Sequence, residues 1–183
     1  MPRHLIGFSG SLGRPFRTHA LVAAAAVRAS ALFGLHATLH DLDDFGPSLG
    51  QARSLADLDK TARGIVDRLV AADALIVGSP VYKGSYAGLF KHLFDLIDPA
   101  ALAGKPVLLT ATGGGEKHAL IIEHQLRPLF GFFEAATLPT GLYASAADFT
   151  NGVPTAPPLI ARIDRAVGQF APWLARKATA TAA

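Results

Sequence analysis

The sequence predicts an α/β fold in which one parallel sheet of five strands is covered by helices on both faces. Three observations lead to this prediction. Short apolar segments of strand length alternate along the chain with longer segments of helical periodicity. Most of the short segments are apolar throughout, which is typical of parallel strands buried on both faces. The chain has 183 residues, of which 50% are hydrophobic, and this length and composition suit one domain with a sizeable core.

Five segments have the composition of strands. They are HLIGF (4–8), HATLHDL (36–42), ALIVGSP (74–80), PVLLTAT (106–112) and a segment near ATLPTGLYAS (136–145). The second segment alternates between apolar and polar residues, so we expect one of its faces to be more exposed. Pro80 is predicted to end the third segment.

Helices are predicted in the intervals between these strands and after the last one. They cover 18–33, 57–73, 85–98, 116–134 and 158–177. Thr18 is placed at or near the N-cap of the first helix, where a hydroxyl can accept a backbone N–H. Pro128 predicts a kink or a break within the helix predicted for 116–134.

Two of these helices carry apolar residues at helical spacing, which predicts the faces that they bury. The residues are Leu58, Ala62, Ile65, Leu69 and Ala72 in one helix and Tyr86, Leu89, Phe90, Leu93, Phe94 and Ile97 in the next. The second stripe and the nearly all-apolar segment ALIIEHQLRPLFGFF (119–133) suit either core packing or a contact between subunits.

Composition and charge exclude several classes of protein. The formal net charge is only +3 and like charges form no long run, so nucleic acid is not an expected partner. Cysteine is absent, and no metal site is predicted. The sequence offers neither a transmembrane segment nor a targeting segment, so no membrane association and a cytoplasmic location are expected. Residues 1–177 are predicted to form the single domain, and 178–183 a disordered tail.

Three unusual loops follow the first, third and fourth predicted strands. They are SGSLGRPFRT (9–18), SPVYKGSYAG (79–88) and TGGGEKH (112–118). Ligands of open parallel sheets bind at the carboxyl ends of the strands, near the point where the strand order reverses. Because all three loops belong to that edge, the sequence predicts one functional site there.

The first loop has the composition of a phosphate site. Free N–H groups at the start of a helix attract anions, and Ser9, Ser11 and Thr18 add hydroxyl donors. Arg14 and Arg17 can add charge-assisted hydrogen bonds. The spacing matches neither the P-loop nor the dinucleotide fingerprint, so a terminal monophosphate is the expected ligand group.

The other two loops suit a planar ring. Pro80 stiffens its turn, Tyr82 offers an aromatic surface, Lys83 adds a cation, and Gly84 allows a close approach of the backbone. Three successive glycines at 113–115 predict that a flat group lies close to the backbone of the third loop.

The first loop and the segment GSPVYKGSYAGLFKHLFDLIDPAALAGKPVLLTATGGGEKHALIIEHQLRPL (78–129) resemble the NAD(P)H-dependent FMN reductases of the flavodoxin-like fold. The resemblance covers roughly residues 3–150 and is strongest to reductases that serve alkanesulfonate and methanesulfonate monooxygenases. It implies the strand order 2-1-3-4-5. It also implies that NADH or NADPH reduces FMN, a substrate or loosely bound cofactor, and that the reduced flavin passes to a separate monooxygenase.

The resemblance also implies roles for individual residues. Those on the side of the FMN phosphate are Ser9, Ser11, Arg14, Arg17 and Thr18. Those against the isoalloxazine ring are Pro80, Val81, Tyr82 and Lys83 on one edge and Thr112, Gly113, Gly114 and Gly115 on the other. His124 matches an inserted residue that reaches a subunit interface near the flavin, which implies a homodimer or homotetramer. No side chain is assigned to acid or base catalysis, because hydride passes directly between stacked cofactors.

Two alternatives remain open at this point. The same scaffold suits an enzyme that keeps its FMN and reduces quinones, azo dyes or metal oxyanions. A flavodoxin-like electron carrier or a regulatory partner protein is the alternative from another class. Carriers usually present an acidic docking face, whereas this chain has 17 basic and 14 acidic residues.

Overall fold

A central parallel sheet organises the computed structural model, which describes residues 3–13 and 16–175. The strands are, in chain order, β1 (His4–Ser9), β2 (His36–Asp41), β3 (Ala74–Tyr82), β4 (Ser85–Tyr86), β5 (Pro106–Thr112), β6 (Ala136–Thr137) and β7 (Leu142–Ala144). The order across the sheet is β2-β1-β3-β5-β6, and β7 also pairs with β5. A separate short hairpin consists of β8 (Phe149–Thr150) and β9 (Val153–Pro154).

The predicted α/β fold and the strand order 2-1-3-4-5 are confirmed, with differences in detail. The fifth position holds two short strands, because β6 pairs with the start of β5 and β7 with its end. Pro139 lies between them and has no N–H to donate to a neighbouring strand. Pro80 does not end the third strand, which continues to Tyr82 and turns back through the antiparallel β4.

The described helices are α1 (Arg17–Phe33), α2 (Lys60–Ala71), α3 (Gly88–Asp95), α4 (Arg127–Phe132), α5 (Pro157–Gly168) and α6 (Ala171–Leu174). The third of them begins at Gly88 and not at 85, because Ser85 and Tyr86 pair with β3. The helix predicted for 158–177 is interrupted after Gly168. Residues 176 and 177, and the predicted tail at 178–183, lie outside the described part of the chain.

The single helix predicted for 116–134 is wrong. The segment contains a 3₁₀ turn (Glu116–His118), a π-helix (Ile122–Leu126) and then α4. The predicted break near Pro128 agrees with the start of α4, since proline is tolerated in the first turn of a helix. The break therefore falls where the helix type changes.

The core lies on both faces of the sheet, as buried strands require. Leu5 packs into one apolar cluster with α1 and α5, and the next residue, Ile6, packs into the other with α2, α3 and α4. All five stripe residues predicted for α2 are buried. In the stripe around α3, Phe90, Leu93, Phe94 and Ile97 are also buried within this chain. Core packing therefore accounts for most of both stripes.

Across residues 3–13 and 16–175, no helix is both long enough and apolar enough to cross a bilayer.

Candidate functional site

The three unusual loops meet at the carboxyl edge of the sheet. We call them the first loop (9–18), the hairpin loop (79–88) and the glycine loop (112–118). A cleft of about 150 Å³ is lined by residues of all three. The lining residues are Phe16, Arg17, Pro80, Val81, Tyr82, Thr112, Gly113 and Gly114. Most of the predicted site residues therefore line this cleft or lie within a few residues of its wall.

The first loop is anchored where β1 ends. Gly10 N donates a hydrogen bond to the carbonyl oxygen of Gly78 at 2.6 Å. A Cβ at Gly10 would lie 2.5 Å from Cδ2 of Phe90, so only glycine fits this close approach to the core. The Ser9 and Ser11 hydroxyl oxygens lie 2.8 Å apart, and both side chains are buried. The two serines thus hold the start of the loop against the core.

The start of α1 presents backbone donors to the cleft. Its N-cap is Phe16, which makes no side-chain capping hydrogen bond. The first N–H groups of this 17-residue helix are therefore available to an anion. Arg17 is exposed at the same helix end, while Arg14 lies outside the described residues.

Thr18 connects the first loop to the glycine loop. It lies two residues after the N-cap, consistent with its predicted place near the helix start, but it does not cap the helix. Its side chain is buried, and Thr18 Oγ1 lies 2.6 Å from Thr112 Oγ1. This hydrogen bond fixes the two loops relative to each other.

The hairpin loop turns tightly between β3 and β4. Val81 pairs with Tyr86 and Tyr82 with Ser85, which leaves Lys83 and Gly84 as the two turn residues. Both have positive φ angles, 53° and 84°, as a type I′ turn requires. Tyr82, directly before the turn, is 50% exposed and lines the cleft.

Two serines that the sequence reasoning missed hold this hairpin in place. The buried Ser79 hydroxyl accepts the N–H of Ala87 at 2.9 Å and donates to the carbonyl oxygen of Pro80 at 2.9 Å. Ser85 Oγ donates to Oε1 of Gln125 at 3.1 Å and so ties the hairpin to the π-helix. The only signal in the sequence was a polar residue, Ser79, inside an otherwise apolar strand.

The glycine loop is supported from behind by Tyr143, which the sequence reasoning also missed. The Tyr143 hydroxyl donates to the carbonyl oxygen of Gly115, and Gly113 N donates to the carbonyl oxygen of Ala144 at 3.0 Å. A Cβ at Gly113 would overlap the Tyr143 hydroxyl, whereas Gly114 and Gly115 face open space. The loop therefore offers bare backbone on one side and rests on a tyrosine on the other.

The charges around the cleft favour an anion. Among the described lining residues Arg17 is the only charged one, and Lys83 follows Tyr82 at the rim. Burial and the nearby Asp148 carboxylate raise the pKa of Tyr143, so its hydroxyl keeps the proton that it donates to the glycine loop.

A larger cavity of about 520 Å³ lies on the other side of Tyr143. Its walls include Glu116, Glu123 and Asp148, with Arg162 as the one cation among the described lining residues. Three carboxylates make this cavity a poor match for a phosphate, although it is wider than the cleft. The charge of the lining residues therefore favours the cleft as the site.

His124 lies in the π-helix and is exposed. Single-turn π-helices are rare and occur frequently at functional sites. A cavity of about 170 Å³ is lined by His124, Gln125 and the turn residue Gly84, among others. His124, which the resemblance assigns to a subunit interface, thus lies near the turn of the hairpin loop.

The sequence is similar to known FMN reductases over most of its length. It matches the family model for NADPH-dependent FMN reductase over residues 4–150. It is 47% identical over 171 residues to the NADH-dependent FMN reductase SfnF of Pseudomonas fluorescens, covering 93% of this chain and 91% of that protein. It is 46% identical over 171 residues to FMN reductase (NADPH) of Pseudomonas aeruginosa, covering 93% of this chain and 92% of the relative.

A solved structure agrees with the observed architecture. An oxidoreductase from Corynebacterium diphtheriae superposes with a TM-score of 0.82 at 32% identity, covering 94% of this chain and 97% of that one. The family model spans most of the chain and includes all three loops. The protein therefore belongs to the NADPH-dependent FMN reductase family.

Proposed function

We propose that this protein is an NAD(P)H-dependent FMN reductase that supplies reduced FMN to a separate flavin-dependent monooxygenase of the sulfonate type. The observation that carries the proposal is the cleft in which the first loop, the hairpin loop and the glycine loop meet. Family membership supports the reductase activity. The monooxygenase partner rests on the resemblance of the loop sequences, and a cytoplasmic location remains a prediction.

The first loop fits the phosphate of FMN. Arg17 and the uncapped first turn of α1 supply positive charge and backbone donors on one side of the cleft. Ser9, Ser11 and Thr18 belong to the same loop, and because each hydroxyl pair uses one of its two O–H groups internally, the other O–H remains to donate to a phosphate. Arg14, which lies outside the described residues, is proposed as a further phosphate ligand.

The hairpin and glycine loops fit a flat ring. Pro80, Val81 and Tyr82 line the cleft beside Thr112, Gly113 and Gly114, because Pro80 and Thr112 are paired on neighbouring strands. Gly114 and Gly115 have open space where a side chain would stand, so a ring can lie against their backbone. Lys83 at the rim favours negative charge on such a ring.

FMN held in the cleft would supply a ring that can take up a hydride from a nicotinamide. The protein's own task is then to orient the two rings and to keep the cleft wall rigid. The Thr18–Thr112 hydrogen bond and the Ser79 contacts do this from within the core. No side chain is needed as a general acid or base.

The expected binding energy of FMN supports a flavin that leaves after reduction. Each charge-assisted phosphate hydrogen bond contributes about 1.5–3 kcal/mol, whereas immobilising a ligand costs about 4–15 kcal/mol. Ring contacts have to supply the rest, and the cleft is small, at about 150 Å³. We therefore expect moderate affinity for FMN. A reductase that passes reduced FMN to another enzyme requires such an affinity.

We also propose that the protein forms a homodimer or homotetramer. The segment after the glycine loop leaves Leu120 63% exposed and Phe132 72% exposed, and the exposed His124 lies between them in the chain. Large apolar side chains of this kind are often covered by a second subunit. Sedimentation of the purified protein tests the proposal, and a monomer at micromolar concentration would contradict it.

Stopped-flow oxidation of NADH and of NADPH, each with and without added FMN, tests the proposed function. We expect FMN to accelerate the oxidation of at least one nucleotide many-fold and quinone to do so much less. Dialysis should remove most of the yellow colour. If FMN does not accelerate nucleotide oxidation, the reductase function is wrong, and if the colour is retained with quinone as the better acceptor, an FMN-retaining quinone reductase is the correct assignment.

A further inference from the structure

This inference rests on the proposed function and concerns how tightly the flavin phosphate is held. We propose that the Asp43 carboxylate opposes the binding of the FMN phosphate at the first loop and so promotes release of the flavin. The observation behind it is a single contact. Gly13 N, in the middle of the first loop, donates a hydrogen bond to Oδ2 of Asp43 at 2.7 Å.

The fold brings Asp43 to the first loop from the neighbouring strand. Because β1 and β2 are paired in parallel with Ser9 opposite Asp41, the segments that follow the two strands lie side by side. Asp43 lies in the 3₁₀ turn Leu42–Phe45 that begins directly after β2. Sheet register, and not sequence proximity, therefore places a carboxylate beside the phosphate loop.

Local hydrogen bonds hold Asp43 in this position. Asp41 Oδ1 accepts the N–H of Asp43 at 3.1 Å, and Asp44 Oδ2 accepts the N–H of Asp41 at 3.0 Å. This reciprocal capping box fixes the turn. The Asp43 side chain itself is exposed and points its carboxylate at the backbone of Gly13.

Asp41 and Asp44 each lie close to a histidine, whereas no such contact is seen for Asp43 among the described residues. His19 Nδ1 lies 3.3 Å from the Asp41 carboxylate, and His40 Nδ1 lies 3.5 Å from that of Asp44. Within residues 3–13 and 16–175, no cationic side chain pairs with Asp43. Among the described residues, its carboxylate is therefore held by the Gly13 N–H and by no ion pair with a cationic side chain.

Two physical effects follow for a phosphate at this loop. The N–H of Gly13 is already satisfied, so the phosphate finds one donor fewer unless it displaces the carboxylate. The carboxylate also repels a dianionic phosphate, and at a separation within a Debye length of about 8 Å this repulsion is only partly screened. Both effects weaken binding of FMN, and neither acts on a flavin that lacks the phosphate.

The test compares FMN with riboflavin, which carries the same ring without the phosphate. The variant Asp43→Asn keeps an acceptor for Gly13 N and removes the charge. We expect it to lower the Kd of FMN about three- to tenfold at low ionic strength, from the loss of one like charge near the phosphate. The Kd of riboflavin should stay the same, as measured by quenching of flavin fluorescence. The gain for FMN should shrink in high salt.

Asp164→Asn is the matched control because it removes the same charge from a distant surface. Asp164 pairs with Arg28, which lies eleven residues beyond Arg17 on α1 and hence about 16 Å further along the helix. This variant should change neither Kd. Asp43→Ala provides a second variant that removes the charge and the acceptor together, and it should also bind FMN more tightly than the unmodified protein.

Three outcomes would overturn the inference. FMN affinity that is unchanged in both Asp43 variants would show that the charge is not felt at the phosphate. Weaker FMN binding would show that Asp43 instead orders the loop for its ligand. Equal gains for FMN and riboflavin would place the effect at the ring. Failure of the proposed function looks different, since the unmodified protein would then bind neither flavin or would not use FMN to oxidise NADH or NADPH.

Discussion

The first loop and the glycine loop face the same cleft but are built in opposite ways. The first loop carries hydroxyl and guanidinium side chains, and its buried serines hold it from within. The glycine loop presents bare backbone, and its support, Tyr143, stands on the far side. The difference indicates that one loop recognises charge and the other recognises a flat shape. Damage to the first should therefore affect FMN alone, and damage to the second should affect FMN and riboflavin equally.

Substitution of Gly113 is expected to have the largest effect. In Gly113→Ala the new Cβ would overlap the Tyr143 hydroxyl, so the glycine loop has to move. Overpacking of this kind costs about 1–3 kcal/mol, and we expect the affinities for FMN and riboflavin to fall together by about ten- to a hundredfold. Fluorescence titration with both flavins measures the effect.

A double variant sharpens this prediction. Tyr143→Phe removes the hydroxyl that the Cβ would meet and leaves Cζ at 3.2 Å from it, a contact that small shifts can relieve. Gly113→Ala should therefore cost less in the Tyr143→Phe background than in the unmodified protein. Equal losses in the two backgrounds would show that Tyr143 does not define the space behind the loop.

Removal of the Arg17 guanidinium tests whether the first loop recognises the charge of the FMN phosphate. We expect Arg17→Ala to raise the Kd of FMN about tenfold, because a charge-assisted hydrogen bond is lost but solvent screens an exposed side chain. The Kd of riboflavin should change less than twofold. Arg63→Ala on α2 removes an exposed arginine that pairs with Asp67 and serves as the control. Equal effects on the two flavins would place Arg17 at the ring and not at the phosphate.

Removal of the Tyr143 hydroxyl alone should have the smallest effect of the three. Tyr143→Phe loses the hydrogen bond to the Gly115 carbonyl oxygen, and one such bond contributes about 0.5–1.5 kcal/mol. We expect the Kd of both flavins to rise about two- to tenfold, with little change in the melting temperature. A change for FMN alone would contradict the assignment of the glycine loop to the ring.

The elements that are buried on both faces could be predicted most closely from the sequence. The strand at 106–112 has the predicted bounds, because every residue in it is buried and the apolar run ends where burial ends. The convergence of the three loops also followed from the sequence, since parallel strands bring their carboxyl ends to one edge. These predictions needed only composition and chain order.

Contacts between distant segments could not be predicted in the same way. Apolar periodicity does not distinguish an α-helix from the π-helix at 122–126, and the turn that pairs Ser85 with Tyr82 depends on a positive φ at Lys83, which glycine would normally supply. Tyr143 reaches the glycine loop from the fifth strand position, and Asp43 reaches the first loop from the neighbouring strand. These contacts require the sheet register, which a single sequence does not specify.

A crystal structure of the protein with FMN tests the central claim most directly. The account predicts that the phosphate lies at the first loop near Arg17 and that the ring lies between Pro80–Tyr82 and Thr112–Gly114. A flavin bound in the larger cavity behind Tyr143, or a phosphate away from the first loop, would contradict it.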